Sequence, residues 1–198
     1  AGDGQSYQYS LAAAYKDKYY TKPAKLGSTE PIKTMDKLEP FTNYIIKAVR
    51  NPGFLFIKEN TLYSSASDDI GILGITDGDM TYVWNLEPQG SKDSYFIKNL
   101  KENRYIETPL GNQLVETAAI KNDNDYFTFS NMTGGIQLLS TYYGQYLNHY
   151  NHTLNNSYGL YGFCGYASSG DGGNPLVFYP IIGGASLPAR FNENIDLK

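Results

Sequence analysis

From Phe41 onward the chain alternates apolar and polar residues in short runs, broken by Gly, Asn, Asp and Pro. Alternation with a period of two over four to eight residues predicts half-buried strands, and the breakers predict turns between them. No later segment sustains a 3.6-residue period for three turns. Residues 1–40 differ. Ser10 is placed to cap a short helix through Leu11-Ala12-Ala13-Ala14-Tyr15, with Leu11, Ala14, Tyr15 and Tyr19 on one face. Pro23 and Gly27 end that pattern, and Pro31 and Pro40 bracket a connection. This stretch is expected to be an N-terminal extension of the main domain.

The strand-like part repeats itself. Three segments open alike: Tyr44-Ile45-Ile46-Lys47, Tyr95-Phe96-Ile97-Lys98 and Ile136-Gln137-Leu138-Leu139. An aromatic–aliphatic pair follows each: Phe54-Leu55, Tyr105-Ile106, Tyr146-Leu147. A third pair comes next: Leu62-Tyr63, Leu114-Val115, Leu160-Tyr161. Each unit closes on an aromatic-rich strand around Trp84, Phe127 or Phe178. The units span about residues 41–90, 91–133 and 134–182, followed by a tail at 183–198. Their length differences fall in the connections, where insertions are tolerated.

One four-strand unit cannot bury its own apolar face. Three can close a barrel and cap it with hairpins, which removes exposed edges. A propeller normally needs at least four blades, and only three units fit here. The expected fold is therefore all-β, with Trp84, Phe127 and Phe178 related by a pseudo-threefold axis and meeting in the core.

With 198 residues the chain suits one domain with an extension. A net charge of −4 and the lack of any Lys/Arg cluster argue against a nucleic-acid partner. No stretch approaches the roughly 20 apolar residues of a helical membrane span. Cys164 is the single cysteine, so no intramolecular disulfide can form. Residues 1–6 read as a flexible start left after processing. The 19 tyrosines exceed what strands alone require, and they concentrate late in the chain.

The segments "YVWNLEP" (82–88), "YFIKNLKENRYI" (95–106) and "GIQLLSTYYGQYLN" (135–148) together resemble the ricin-type β-trefoil family, in the form found in secreted and surface proteins of Bacteroidetes. The resemblance covers about residues 41–182. It implies a lectin-like trefoil without catalysis or cofactor, on a secreted or cell-surface bacterial protein. It also implies a site in each active repeat: an aromatic at the third pair, a polar group just after the second pair, and a Gln two residues before the closing aromatic. Carried over, the aromatic is Tyr63 in repeat one and Tyr161 in repeat three, but Val115 in repeat two. The polar group is Asn148 in repeat three and Glu107 in repeat two, but Phe56 in repeat one. The Gln position holds Tyr82, Asp125 and Leu176. Repeat three is then the expected site and repeat two the expected silent one.

The residues between 142 and 166 point the same way. Sugars offer apolar C–H faces and many hydroxyls, so a site needs flat rings beside amide or carboxylate partners. Tyr143, Asn148, His149, Tyr150 and Tyr161 supply both in one stretch, and Tyr63 adds a ring from repeat one. Other chemistry is less well supported. His149 and His152 are the only histidines, expected as surface polar residues. They lack an evident third ligand, and strand spacing sends them to opposite faces. Cys164 has no charged neighbour in sequence and is expected to be buried and inert. Asp77–Asp79 and Asp123–Asp125 fit turns better than calcium loops. Gly159, Gly162 and Gly165 suggest a long mobile loop before the last strand. Asn131, Asn151 and Asn155 begin N-x-[ST] triplets, which matter only in a eukaryotic secretory host.

The expected function is a carbohydrate-binding module whose partner is a glycan or polysaccharide. The alternative is a trefoil that contacts a protein through an exposed loop at 151–175. Catalysis ranks last. A concave pocket holding two close carboxylates, or both histidines with Asp171, is the finding that would revive it.

Overall fold

The computed structural model describes residues 25–26, 30–51, 53–65, 80–149 and 158–182. The helix expected at 11–15 and the tail at 183–198 lie outside them. Among the described residues thirteen strands follow in chain order: β1 (Lys25–Leu26), β2 (Asn43–Ala48), β3 (Gly53–Lys58), β4 (Thr61–Ser64), β5 (Val83–Pro88), β6 (Ser94–Asn99), β7 (Arg104–Ile106), β8 (Thr117–Ala118), β9 (Phe127–Met132), β10 (Gly135–Ser140), β11 (Gln145–His149), β12 (Tyr161–Tyr166) and β13 (Leu176–Ile182). Among the described residues no helix is long and apolar enough to cross a membrane.

Six of these strands close on themselves. β2 pairs with β5, β5 with β6, β6 with β9, β9 with β10, β10 with β13, and β13 returns to β2, every pair antiparallel. The closed circuit leaves no barrel edge free to recruit another chain. Three hairpins cap one end: β3–β4, β7–β8 and β11–β12. The cap is tied across its centre. The Leu62 amide donates to the Val115 carbonyl and the Val115 amide to the Phe163 carbonyl, while β12 pairs with β4. This is a β-trefoil with three four-strand repeats, as the internal repetition requires.

The registers repeat under the pseudo-threefold operation and correct two details of the sequence alignment. Trp84 faces Asn99, Phe127 faces Ser140, and Leu176 faces Ala48. Two residues on, Leu86 faces Ile97, Phe129 faces Leu138, and Phe178 faces Ile46. The true equivalents of Trp84 and Phe127 are therefore Leu176, with Phe178 one inward step further. All of these aromatics still pack in one core with Tyr44, Tyr95, Ile136 and the other inward side chains. Trp84 is fully buried, and its indole Nε1 donates to the Leu55 carbonyl at 3.0 Å. In the hairpins, Leu55 faces Ser64, Ile106 faces Thr117, and Leu147 faces Gly165. Counting back two residues aligns Leu62 with Val115 and Phe163, so Tyr161 is not the counterpart of Tyr63.

The extension contributes to the sheet: Lys25 and Leu26 pair with Ile182 and Ile181, and Ile32 bridges to Phe178. The long loop expected before the last strand is interrupted by β12. Gly162 and Gly165 sit buried in β12, so an uninterrupted exposed loop at 151–175 does not exist. Residues 151–157 are outside the description.

Candidate functional site

The corrected register identifies one three-residue position that occurs in each repeat. Its members are the residue after the second pair, the residue opposite it on the facing hairpin strand, and the residue two before the closing core position. Repeat one has Phe56, Tyr63 and Tyr82; repeat two has Glu107, Glu116 and Asp125; repeat three has Asn148, Cys164 and Asn174. The same backbone framework thus carries an aromatic, an acidic and an amide–thiol version.

In repeat one the rings fill the position. Phe56 packs 6.4 Å from Tyr63 and 5.7 Å from Tyr82, measured between centroids, and Tyr158 meets Tyr63 edge-on. Tyr63 is buried. The expectation that it presents a free ring is corrected: its faces are occupied by its neighbours.

In repeat three the polar groups bond to one another. Asn148 Nδ2 donates to Asn174 Oδ1 and to Asp171 Oδ1, both at 2.8 Å. Asn174 Nδ2 donates to the Ser168 carbonyl. The Gly173 backbone lies directly on Asn148, so a Cβ there would come within 2.6 Å of Oδ1. The Gly173 amide, the Asn148 amide and nearby Arg50 hold the Asp171 carboxyl below its usual range. Asn148 is 3% exposed and His149 is fully buried, which corrects their expected roles as surface partners of a ligand. His149 stands against Ser64 Oγ through Nε2 and against the Arg50 carbonyl through Nδ1, each at 2.7 Å. Burial pushes its pKa down to about 4. The Tyr161 ring meets the His149 ring edge-on at 5.8 Å. Asn148, His149, Tyr161 and Tyr63 are thus brought together, but as the packed seam between repeats three and one. Tyr150 and His152 lie outside the described residues. Cys164 is buried, and burial raises its thiol pKa to about 11, as expected of an inert thiol.

In repeat two the position is open. Glu107, Glu116 and Asp125 line a cleft of about 270 Å³, together with Gln113, Asn122 and the exposed ring of Tyr143. Asp125, 6% exposed, forms one wall: its Oδ1 accepts from the Thr108 amide at 3.2 Å and the Thr108 hydroxyl at 3.1 Å. The Glu107 amide donates to the Glu116 carbonyl, which sets the two side chains across the hairpin. Partial burial, then the charges of Asp125 and Glu116, raise the Glu107 pKa, opposed by Arg104. Arg104 itself donates to the Thr117 hydroxyl and carbonyl. The rim is pinned by the Gly111 amide, which donates to Gln145 Oε1 at 2.6 Å. That contact needs Gly165, where a Cβ would lie 2.0 Å from the same oxygen.

The repeat expected to be silent therefore holds the cleft, and of the predicted residues Tyr143 lines it. Glu116 was missed because the third pair was aligned on Leu114-Val115; stepping one residue past Val115 reaches it. No group of three or more His, Cys, Asp or Glu that could hold a metal ion occurs among the described residues.

No protein-family model and no curated protein sequence matches the chain. Solved structures do. A lectin from Polyporus squamosus, solved bound to Neu5Acα2-6Galβ1-4GlcNAc, is 17% identical with a TM-score of 0.52, over 72% of this chain and 50% of its own. The designed threefold-symmetric protein ThreeFoil is 13% identical with a TM-score of 0.51, over 71% of this chain and 97% of its own. A GlcNAcα1-4Gal-releasing endo-β-galactosidase from Clostridium perfringens is 12% identical with a TM-score of 0.50, over 70% of this chain and 32% of its own. The chain thus spans half the length of the Polyporus lectin and about a third of the galactosidase. At these identities the likeness shows the fold alone: a β-trefoil.

Proposed function

We propose that the protein is a non-catalytic carbohydrate-binding module and that its ligand enters the repeat-two cleft. One observation carries this. Of three equivalent positions on the same framework, one is filled by rings and one is closed by its own hydrogen bonds. The repeat-two position alone lines a described cleft, with carboxylates and amides beside an exposed aromatic ring. Hydroxyl-rich ligands with apolar ring faces fit that lining: Glu107, Asp125, Gln113 and Asn122 accept or donate, and Tyr143 offers a stacking face. The shared fold with a sugar-bound lectin supports the assignment. We place the protein outside a bacterial cell, at the surface or secreted, in keeping with the resemblance to such proteins; fractionation of the producing cells checks that placement.

One observation favours hydrolysis as a second reading, because a raised Glu107 carboxyl next to Asp125 is how an acid–base pair begins. Binding is preferred because Asp125 is buried as a wall and bonded to Thr108. A glycan array followed by calorimetry on the strongest hit tests the proposal. Tyr143→Ala and Glu107→Gln should each weaken binding about tenfold or more, the scale of a lost stacking or charge-assisted contact. Tyr161→Ala should leave binding unchanged. Binding lost with Tyr161→Ala but kept with Tyr143→Ala would move the site to repeat three. Release of new reducing ends from the bound glycan would establish the enzyme.

A further inference from the structure

We propose that the repeat-two cleft selects a cationic amino sugar, a protonated 2-amino-2-deoxyhexose unit, over neutral and N-acetylated sugars. This rests on the sugar-binding assignment above and names the ligand class. The cavity and the threefold comparison locate the site; its charge then decides what fits. Three carboxylates line the cleft and none of the described lining residues is Lys or Arg. The cation that acts on Glu107, Arg104, is fixed by two hydrogen bonds to Thr117. Lys121, further along the same repeat, is paired with Glu87 at 3.2 Å. Glu116 accepts from the Thr61 hydroxyl and Asp125 from Thr108, both uncharged donors, so hydrogen bonds hold these carboxylates in place without cancelling their charge; a half-enclosed site screens that charge less than open water does.

A neutral sugar would leave that repulsion in place. An ammonium on the ring would relieve it, by charge-assisted hydrogen bonds to Glu107 or Glu116. The remaining hydroxyls meet Asp125, Gln113 and Asn122, and Tyr143 lies against the C–H face, where a ring also attracts a nearby cation. The cleft is at the small end of ligand sites, the scale of one sugar ring. The rest of an oligomer would therefore run outward over the rim, where Tyr142 packs on Tyr143 with centroids 4.6 Å apart and both rings are exposed.

The selectivity has a signature in pH. Binding should weaken as acid protonates Glu107, whose pKa is raised by burial and its carboxylate neighbours. It should weaken again when alkali removes the proton from the sugar amine. A bell-shaped profile follows.

The probes are the glucosamine tetramer and its N-acetylated counterpart, titrated by calorimetry into the full chain near pH 6 at low salt. The glucosamine tetramer is expected to bind about tenfold tighter or more. Glu107→Gln and Glu116→Gln should each shrink that preference, added salt should shrink it further, and a neutral hexose tetramer should bind no better than the acetylated one. Equal or tighter binding of the N-acetylated tetramer overturns the proposal. So does a preference that survives both glutamine substitutions. If neutral glycans bind and depend on Tyr143 while glucosamine has no advantage, sugar binding stands and the charge selection fails. If only a lysine-rich peptide binds, with the same dependence on Glu107, both the sugar class and this proposal fall.

Discussion

The imidazole Nε2 of His149 lies 2.7 Å from Ser64 Oγ, joining the third repeat to the first inside the protein. With Nδ1 against the Arg50 carbonyl, the neutral ring is satisfied at both nitrogens: Nδ1 donates, and Nε2 accepts from the hydroxyl. Protonation would place an uncompensated charge between Phe163, Tyr161 and the barrel end. The folded pKa is about 4 against an ordinary 6.5, so the unfolded chain binds the extra proton across that window. Stability should therefore be complete above pH 6.5 and fall as pH drops toward 4, by about 3 kcal/mol in total. Urea unfolding at a series of pH values checks this. His149→Gln should flatten the slope between those limits. A profile unchanged by the substitution would mean that His149 does not titrate in this way.

Trp84 anchors the cap to the barrel, since its indole reaches from β5 to the Leu55 carbonyl on β3. Neither equivalent, Phe127 or Leu176, has a donor, so this tie exists in the first repeat alone. Trp84→Phe keeps an apolar ring but leaves a buried carbonyl unpaired and a void where the second ring stood. A loss of about 2–4 kcal/mol is expected, from the unmade hydrogen bond and the cavity together. Thermal melting followed by circular dichroism measures it, because the substitution removes the only tryptophan fluorophore.

The trefoil was legible in the chain because the constraint that makes it is repetitive: three units must each offer inward residues at matching depth. The repeat pattern nevertheless matches Phe178 to Trp84, and the reason is geometric. A slip of two residues keeps a side chain on the same face of a strand. Phe178 and Leu176 both point inward, and sequence type alone prefers the aromatic. The register is set by the pairing of Leu176 with Ala48, which lies more than 100 residues away. The same two-residue offset extends into the site. Counting back from Phe178 gave Leu176 at the supporting-amide position, whereas counting back from Leu176 gives Asn174, which does bond Asn148. The slip of three in the other hairpin, Tyr161 for Cys164, changes face and was more damaging. Burial of the repeat-three amides could not be read at all, because Gly173 closes over Asn148 through a loop whose path no periodicity records.

Gly165 stands where the other repeats have Ser64 and Thr117, and the space it leaves admits the Gln145 carbonyl oxygen. That oxygen holds the Gly111 amide at the rim of the cleft. Gly165→Ala should expel the Gln145 side chain, freeing the rim around Leu110 and Gly111. A destabilisation of about 1–3 kcal/mol is expected from the overpacking. Hydrogen exchange should rise at residues 110–113 and remain unchanged in the first-repeat hairpin β3–β4. Exchange that rises equally in all three hairpins would show a global effect.

The cleft carboxylates should separate stability from binding. Glu107 is half-buried beside two like charges, and its folded pKa lies above its ordinary value. The folded protein therefore favours the protonated form. Its contribution to stability is complete below the ordinary glutamate pKa and is lost as pH rises through the folded one. At neutral pH the ionised group opposes folding, so Glu107→Gln should stabilise the protein by about 0.5 kcal/mol once solvent screening is allowed for. The gain should vanish in acid. Asp125 should behave in the opposite way: its Oδ1 satisfies the Thr108 amide, and Asp125→Ala leaves that buried donor open at a cost of about 1–3 kcal/mol. Asp125→Asn keeps an acceptor and should cost less. A substitution that weakens ligand binding while raising the melting temperature is the mark of a residue held in place for function. Paired melting and calorimetry on Glu107→Gln check this, and a variant that loses both stability and binding would make Glu107 a structural residue instead.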